Sequence, residues 1–197
     1  MTWAEYEQAV RKTAGWLRQK GIKKGDAVAI ISANRPEWII ADLAIFALGA
    51  VSIPIYATST PKDISYILEH SEAKALFYDE ESRLKEVNTP AIKVGFDGGE
   101  LAHILKSDVL PLADVEAVKP DEIATIVYTS GTTGLPKGVV HTNGTLIAAI
   151  DVAKAVLAEG RTEPDRFFSF LPLSHVAERL LIECGSIAFG DEVIFAR

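Results

Sequence analysis

The spacing of hydrophobic and polar positions changes repeatedly along the chain, and each change marks an element. Over residues 3–20, Tyr6, Val10, Ala14 and Leu17 recur at intervals of three and four, which predicts an amphipathic helix. Gly21 and Gly25 flank its exit. Ala27-Val28-Ala29-Ile30-Ile31 follows as a short apolar run, the form taken by a strand buried on both faces. Pro36-Glu37 has the character of a helix start; an apolar helix over 38–48 follows and Gly49 stops it. Residues 51–56 then predict a strand. Pro61 opens a helix reaching about residue 71, with Ile64, Ile67 and Leu68 on one face, and Ala75-Leu76-Phe77-Tyr78 predicts the next strand.

This alternation of helices with nearly continuous apolar strands predicts an α/β fold: a mostly parallel sheet flanked by helices on both faces. Residues 80–119 carry a weaker pattern, with a strand near 91–96, a turn at Gly98-Gly99 and a connection of mixed charge through Pro111. Beyond it, the pattern predicts strands at 123–128 and 138–141, a helix over 143–158 and a strand at 166–171. A helix over 175–189 and a last strand at 191–196 complete the chain. Asn143 is expected to cap the helix it opens.

Residues 43–61 contain no charged side chain, yet a helix crossing a membrane would have to run through Gly49, Ser52 and Pro54. A buried helix followed by a strand accounts for that punctuation. The composition agrees with a globular chain: of 197 residues, 48% are hydrophobic and 24% charged, too apolar for a disordered polymer. The formal net charge of −7 argues against a general nucleic-acid binder, which needs clustered Lys and Arg. A single cysteine, Cys184, excludes an internal disulfide framework and a cysteine-rich zinc site, and its apolar setting predicts an unreactive, buried thiol. The first seven residues lack the apolar core of a signal peptide, and a reducing, cytoplasmic setting is the default expectation.

The chemistry is concentrated in Tyr128-Thr129-Ser130-Gly131-Thr132-Thr133-Gly134-Leu135-Pro136-Lys137-Gly138. Glycines permit positive φ and close approach, so backbone N–H groups can converge on an anion. Thr129, Ser130, Thr132 and Thr133 add hydroxyl donors, and Lys137 adds a mobile positive charge suited to phosphate. A polyphosphate fits that inventory better than a neutral ligand. The P-loop of ordinary NTPases is a poorer match: Pro136 stands where that motif has glycine, Gly138 follows the lysine, and a strand is predicted where a P-loop runs into a helix. A plain Gly/Thr hairpin is the alternative without function, but so many donors exceed what a turn needs.

These eleven residues resemble the signature loop of the adenylate-forming enzymes, the group containing acyl-CoA synthetases, luciferases and peptide-synthetase adenylation domains. Residues 48–55 resemble an upstream motif of that group. Leu171-Pro172-Leu173-Ser174-His175-Val176-Ala177-Glu178-Arg179 resembles the downstream one, in the form seen in long-chain fatty acyl-CoA synthetases. The resemblance covers essentially the whole chain and implies the large N-terminal domain of that fold. Residues 1–119 would supply the first βα units and a connection, and residues 120–197 the phosphate loop and the segment facing acid and ATP.

What the resemblance implies is an enzyme joining a carboxylic acid, in the long-chain form a fatty acid, to ATP and then to coenzyme A, with Mg²⁺. Thr129, Ser130, Gly131, Thr132, Thr133, Gly134 and Lys137 would hold the β- and γ-phosphates, and Thr129 would also meet Mg²⁺. His175 would lie beside the carboxylate and the α-phosphate, with Val176 lining the site; a helix-capping or core histidine is the plainer alternative. His141 is expected to be structural, and Glu178-Arg179 to form a local ion pair of little energy. The family's adenine-contacting, ribose-binding and C-terminal catalytic segments, and its coenzyme A site, have no counterpart here. The chain is therefore expected to be an internal piece of the domain, prone to aggregate and without turnover by itself, so a nucleotide-binding role without catalysis stays among the readings. An aryl-CoA ligase or an amino-acid adenylation domain is the alternative assignment. The expected ligands are small molecules, with no nucleic acid and no membrane span.

Overall fold

A computed structural model describes residues 1–129, 134–157 and 164–196. Helix α1 (Trp3–Gln19) begins with a capping box: the Thr2 hydroxyl accepts from Glu5 N, and the Glu5 carboxylate accepts from Thr2 N at 2.7 Å. Strand β1 (Ala27–Ile31) leads into α2 (Pro36–Ala47), then β2 (Val51–Ile55), α3 (Pro61–His70) and β3 (Ala75–Tyr78). A 3₁₀ turn (Glu81–Leu84), β4 (Ile92–Gly95) and α4 (Glu100–Lys106) follow, and β5 (Ile123–Thr129) comes after an irregular connection. Strand β6 (Lys137–Thr142), α5 (Asn143–Leu157) and β7 (Arg166–Ser169) precede a helical stretch, and β8 (Glu192–Phe195) closes the series. The stretch runs as Val176–Glu178, then Arg179–Cys184 with π-type spacing, then Gly185–Phe189.

Six strands form one sheet in the order β4-β3-β1-β2-β5-β6. All neighbours are parallel except β5 and β6, which pair antiparallel. Strands β7 and β8 form a separate parallel pair, which the sequence pattern did not distinguish from the main sheet. Side chains alternate between two cores. Val28, Ile30, Ala75 and Phe77 point toward α1, α2 and α4, while Ala29, Ile31, Leu76 and Tyr78 point toward α3. Burial on both faces is why these strands read as unbroken apolar runs. No helix among the described residues is long and apolar enough to cross a membrane.

Two local expectations are corrected. Helix α4 was not anticipated: its seven residues follow Gly99, whose φ of 82° is left-handed, and so short a stretch carries little periodic signal. The cap of α5 is Thr142, whose hydroxyl accepts from Thr145 N at 3.3 Å. The Asn143 carboxamide instead donates to the carbonyls of Lys119 and Glu122, tying α5 to the segment ahead of β5.

The irregular connection is strapped to α1 by cations. The Arg11 guanidinium donates to the carbonyls of Leu112 and Ala113, and Lys12 Nζ to those of Leu105 and Ser107. The approach is close: a Cβ on Gly15 would lie 2.1 Å from the Leu110 carbonyl oxygen.

Candidate functional site

In a parallel sheet every loop after a strand emerges at the same edge, and this is where open α/β folds bind ligands. Here that edge collects the exits of β1, β2, β3 and β5. Thr129, the last residue of β5, is exposed, and its Cα partner across the antiparallel pair is Lys137, the first residue of β6. Strands β5 and β6 are therefore the two arms of a β-hairpin, as the plain hairpin reading expects. A strand, not a helix, follows Lys137, as the argument against a P-loop required. Gly134 has φ 108°, a conformation that favours glycine. Ser130, Gly131, Thr132 and Thr133 lie outside the described residues. Among the described residues, Lys137 has no ion-pair partner, and its side chain is exposed.

The base of the hairpin is held from below. The buried Tyr128 ring faces Gly138 across the pair, where an added Cβ would come within 3.4 Å of it. The Tyr128 hydroxyl lies 2.8 Å from His70 Nδ1 at the end of α3. Burial, with Tyr66 nearby, pushes the Tyr128 phenol up, so it stays protonated. Beside it a cleft of ≈ 410 Å³ opens between Thr129, Gly134 and Pro136 on one side and Tyr56, Thr58 and Ser59 after β2 on the other.

His175 lies two residues beyond Leu173, whose N–H donates to Asn34 after β1. It is exposed and precedes the first helical residue, Val176, which is half-buried. Its Nδ1 accepts from Ala177 N at 3.2 Å. A backbone N–H can only donate, so the neutral ring carries its proton on Nε2 and offers it as a donor. The capping role and a binding role are thus compatible, because they use different nitrogens. No hydrogen bond or ion pair joins His175 to Thr129 or Lys137 among the described residues. His141 sits in β6 opposite Thr125, away from these groups.

The connection between the two motifs runs through a buried polar cluster that sequence reasoning missed. Glu178 and Arg179 do not pair with each other. The buried Glu178 carboxylate accepts from Ser169 Oγ at 2.7 Å. The Arg179 side chain is 5% exposed; its Nη2 lies 2.5 Å from Asp42 Oδ2 and its Nη1 donates to Thr125 Oγ1 at 2.8 Å. Asp42 also accepts from Ser52 Oγ, and Thr125 Oγ1 donates to the Ser52 carbonyl. Thr125 lies on β5 ahead of Thr129, so Arg179 bolts the helix carrying His175 to the strand carrying the loop. The guanidinium also stands over the rings of Trp38 and Phe46 at 5.6 and 5.3 Å.

Glu183 shares this pocket, 3.7 Å from Arg179 Nε, with both carboxyl oxygens buried and without a hydrogen-bond partner among the described residues. Burial, and then the Asp42 charge, push its carboxyl well above its usual range, which favours the protonated form beside the Arg179–Asp42 ion pair. The adjacent Cys184 thiol is half-buried, where full burial was expected, and desolvation pushes it up to about 12, which disfavours a reactive thiolate.

The profile of the AMP-binding enzyme family matches residues 1–197. The chain belongs to that family. This AMP-binding family member is 36% identical over 196 residues to the long-chain-fatty-acid–CoA ligase FadD15 of Mycobacterium bovis, an alignment covering 92% of this chain and 33% of that protein. It is 34% identical over 181 residues to the 2-succinylbenzoate–CoA ligase of Bacillus licheniformis, covering 90% and 36%. Among solved structures, o-succinylbenzoate CoA synthetase from Bacillus subtilis in complex with the acyl-adenylate OSB-AMP superposes with a TM-score of 0.81 at 29% identity, over 100% of this chain and 50% of that one. The N-terminal domain of FACL13 from Mycobacterium tuberculosis superposes with a TM-score of 0.78 at 31% identity, again over 100% and 50%. The chain spans about a third of the length of the curated relatives it matches. The fold is that of the N-terminal domain of adenylate-forming enzymes, as the motifs implied.

Proposed function

We propose that this chain supplies the phosphate-holding loop and the His175 segment of an ATP-dependent acid–CoA ligase, with a long-chain fatty acid as the acid. The observation that carries the reading is Thr129 set directly opposite Lys137 at the mouth of a glycine-bearing hairpin. A hydroxyl and an exposed ammonium thereby flank a loop rich in donors. In the proposed reaction a carboxylate oxygen attacks the α-phosphorus, the bond to the β-phosphate bridging oxygen breaks, and pyrophosphate leaves. The thiol of coenzyme A then attacks the acyl carbon and AMP departs.

Two anions approach in the first step, so fixed donors and cations must offset their repulsion. Thr129, Ser130, Gly131, Thr132, Thr133, Gly134 and Lys137 are assigned to the β- and γ-phosphates. His175, as an Nε2–H donor, is assigned to an oxygen of the carboxylate or the α-phosphate, with Val176 beside it. Mg²⁺, when bound, would neutralise phosphate charge with the Thr129 hydroxyl as a protein ligand. The described residues gather no group of three or more His, Cys, Asp or Glu for a metal, so this chain would contribute the Thr129 hydroxyl and no carboxylate cage. The residue set fits that role.

Leu171 to Arg179 and the FadD15 likeness favour a fatty acid. The likeness to 2-succinylbenzoate–CoA ligase favours an aryl acid as the second reading. Calorimetric titration of the chain with MgATP tests the phosphate assignment. Lys137→Ala should weaken binding at least about tenfold, or about 1.4 kcal/mol. No heat at millimolar MgATP, or equal affinity in the variant, refutes it. Added with ATP, a long-chain fatty acid should raise the melting temperature more than 2-succinylbenzoate does; the reverse order selects the aryl reading.

A further inference from the structure

The exit of β1 is a second place where the chain invests polar groups, and no part of the phosphate loop accounts for it. Asn34 stands there, half-buried, and both N–H groups and the carbonyl oxygen of its carboxamide are engaged. Oδ1 accepts from Leu173 N at 2.8 Å, and Nδ2 donates to the Leu171 carbonyl at 2.5 Å and to Ser169 Oγ at 2.9 Å. All three partners belong to the segment that ends in His175. Ser169 Oγ passes its own proton to Glu178, on the first turn after His175. The backbone of His175 is closed onto the same loop, donating to the Pro172 carbonyl at 2.8 Å. One side chain therefore grips the loop on both sides of Pro172 and reaches the helix through a serine.

We propose that Asn34 is a positioning residue for His175. It holds Leu171–Leu173 against the end of β1, and so sets where the imidazole Nε2–H stands at the ligand edge of the sheet. For the chemistry served, this rests on the proposed function. The geometry requires a carboxamide. Aspartate is nearly isosteric, but it offers no donor to the Leu171 carbonyl or the Ser169 hydroxyl and turns lone pairs toward a carbonyl oxygen. A shorter hydroxyl cannot span both sides of the loop. Asn34 in turn sits next to Ala33, whose N–H donates to Asp79 at 2.9 Å. Burial opposes the charge of Asp79, but hydrogen bonds from Arg83, Ala33 and Glu80 outweigh it and keep the carboxyl below its usual range. The platform under Asn34 is thus anchored to β3 independently of His175.

The test reads the ring itself. In two-bond ¹H–¹⁵N spectra of the ¹⁵N-histidine-labelled chain, His175 should show the fixed Nε2–H pattern in the wild type. In Asn34→Ala it should show averaged nitrogen shifts, while His70, His103 and His141 keep theirs. Asn34→Ser gives the same readout if the alanine variant fails to fold. Val28→Ala, which weakens β1 without touching the loop, separates positioning from stability and should leave the His175 pattern fixed. An unchanged His175 pattern in the folded Asn34 variants overturns the proposal, as does averaging in Val28→Ala to the same degree. Adding MgATP should shift the His175 ring signals in the wild type at least twice as far as in Asn34→Ala. Averaging on loss of Asn34 without any MgATP response supports the positioning and counts only against the nucleotide reading.

Discussion

Replacing Arg179 by methionine is the sharpest perturbation the buried cluster offers. Methionine keeps much of the aliphatic length but removes the charge and both guanidinium bonds. The substitution leaves Asp42, 0% exposed, as a buried anion stripped of its cation, with the Ser52 hydroxyl and the Glu183 carboxyl beside it. Breaking a buried pair from one side costs about 3–5 kcal/mol, because the remaining charge is desolvated without compensation. That is a large part of the roughly 5–15 kcal/mol that stabilises a typical domain. Removing both charges in Arg179→Met/Asp42→Leu should cost less than Arg179→Met alone, since no buried ion remains. Urea unfolding followed by circular dichroism, arranged as a double-mutant cycle, measures this. Arg166→Met is the control: its partner Glu192 is 2.8 Å away, but the side chains are 75% and 59% exposed, so the change should be about 0–1 kcal/mol. A loss below about 1 kcal/mol for Arg179→Met, or strictly additive single losses, would refute the account of a neutral, desolvated pair.

Two further outcomes follow from the same packing. Gly15→Ala should destabilise the chain by about 1–3 kcal/mol, because the new methyl meets the Leu110 carbonyl and outweighs the roughly 1 kcal/mol gained in helix propensity; a rise in urea midpoint would contradict the close approach. Glu183 has a raised pKa in the folded chain, so its contribution is complete below the unfolded value of about 4.3 and is lost as pH rises through the folded pKa. Within that window the unfolded state binds fewer protons, and stability should fall with pH by up to about 1.4 kcal/mol per unit. Glu183→Gln removes this loss, so its stability relative to wild type should climb with pH in chemical unfolding measured from pH 5 upward. A constant difference would show that Glu183 ionises normally in the folded chain.

The main elements were legible because burial on both faces leaves a strong mark. The runs at Ala27–Ile31 and Ala75–Tyr78 are strands as read, and Pro36 and Pro61 open helices as read. Helix α4 was not legible because seven residues are two turns, and the connection after it because its partners, the Arg11 and Lys12 side chains, lie on a helix about a hundred residues earlier. The loop proposed to hold phosphate stood out for a different reason: closing backbone around an anion would restrict residue types in one continuous stretch. His175 stood out through its neighbours, and of its two readings the structure shows the helix cap. Glu178-Arg179 was misread because adjacency on a helix suggests a pair, and the pattern gives no sign that Asp42 and Thr125 are waiting across the core.

Asn34 shows the same limit, since nothing within Ala33-Asn34-Arg35 points to a loop more than a hundred residues later. The sequence by itself determined the class of fold and the family, because both are written in local composition, period and motif. Only the tertiary structure decided which polar groups meet: Arg179 with Asp42 and Thr125, Asn34 with Leu171 and Leu173, Thr129 opposite Lys137. The physical reason is that hydrogen bonds and ion pairs act over a few ångströms in space. Strand order and helix packing set those distances, whereas the order of residues in the chain sets only the local pattern.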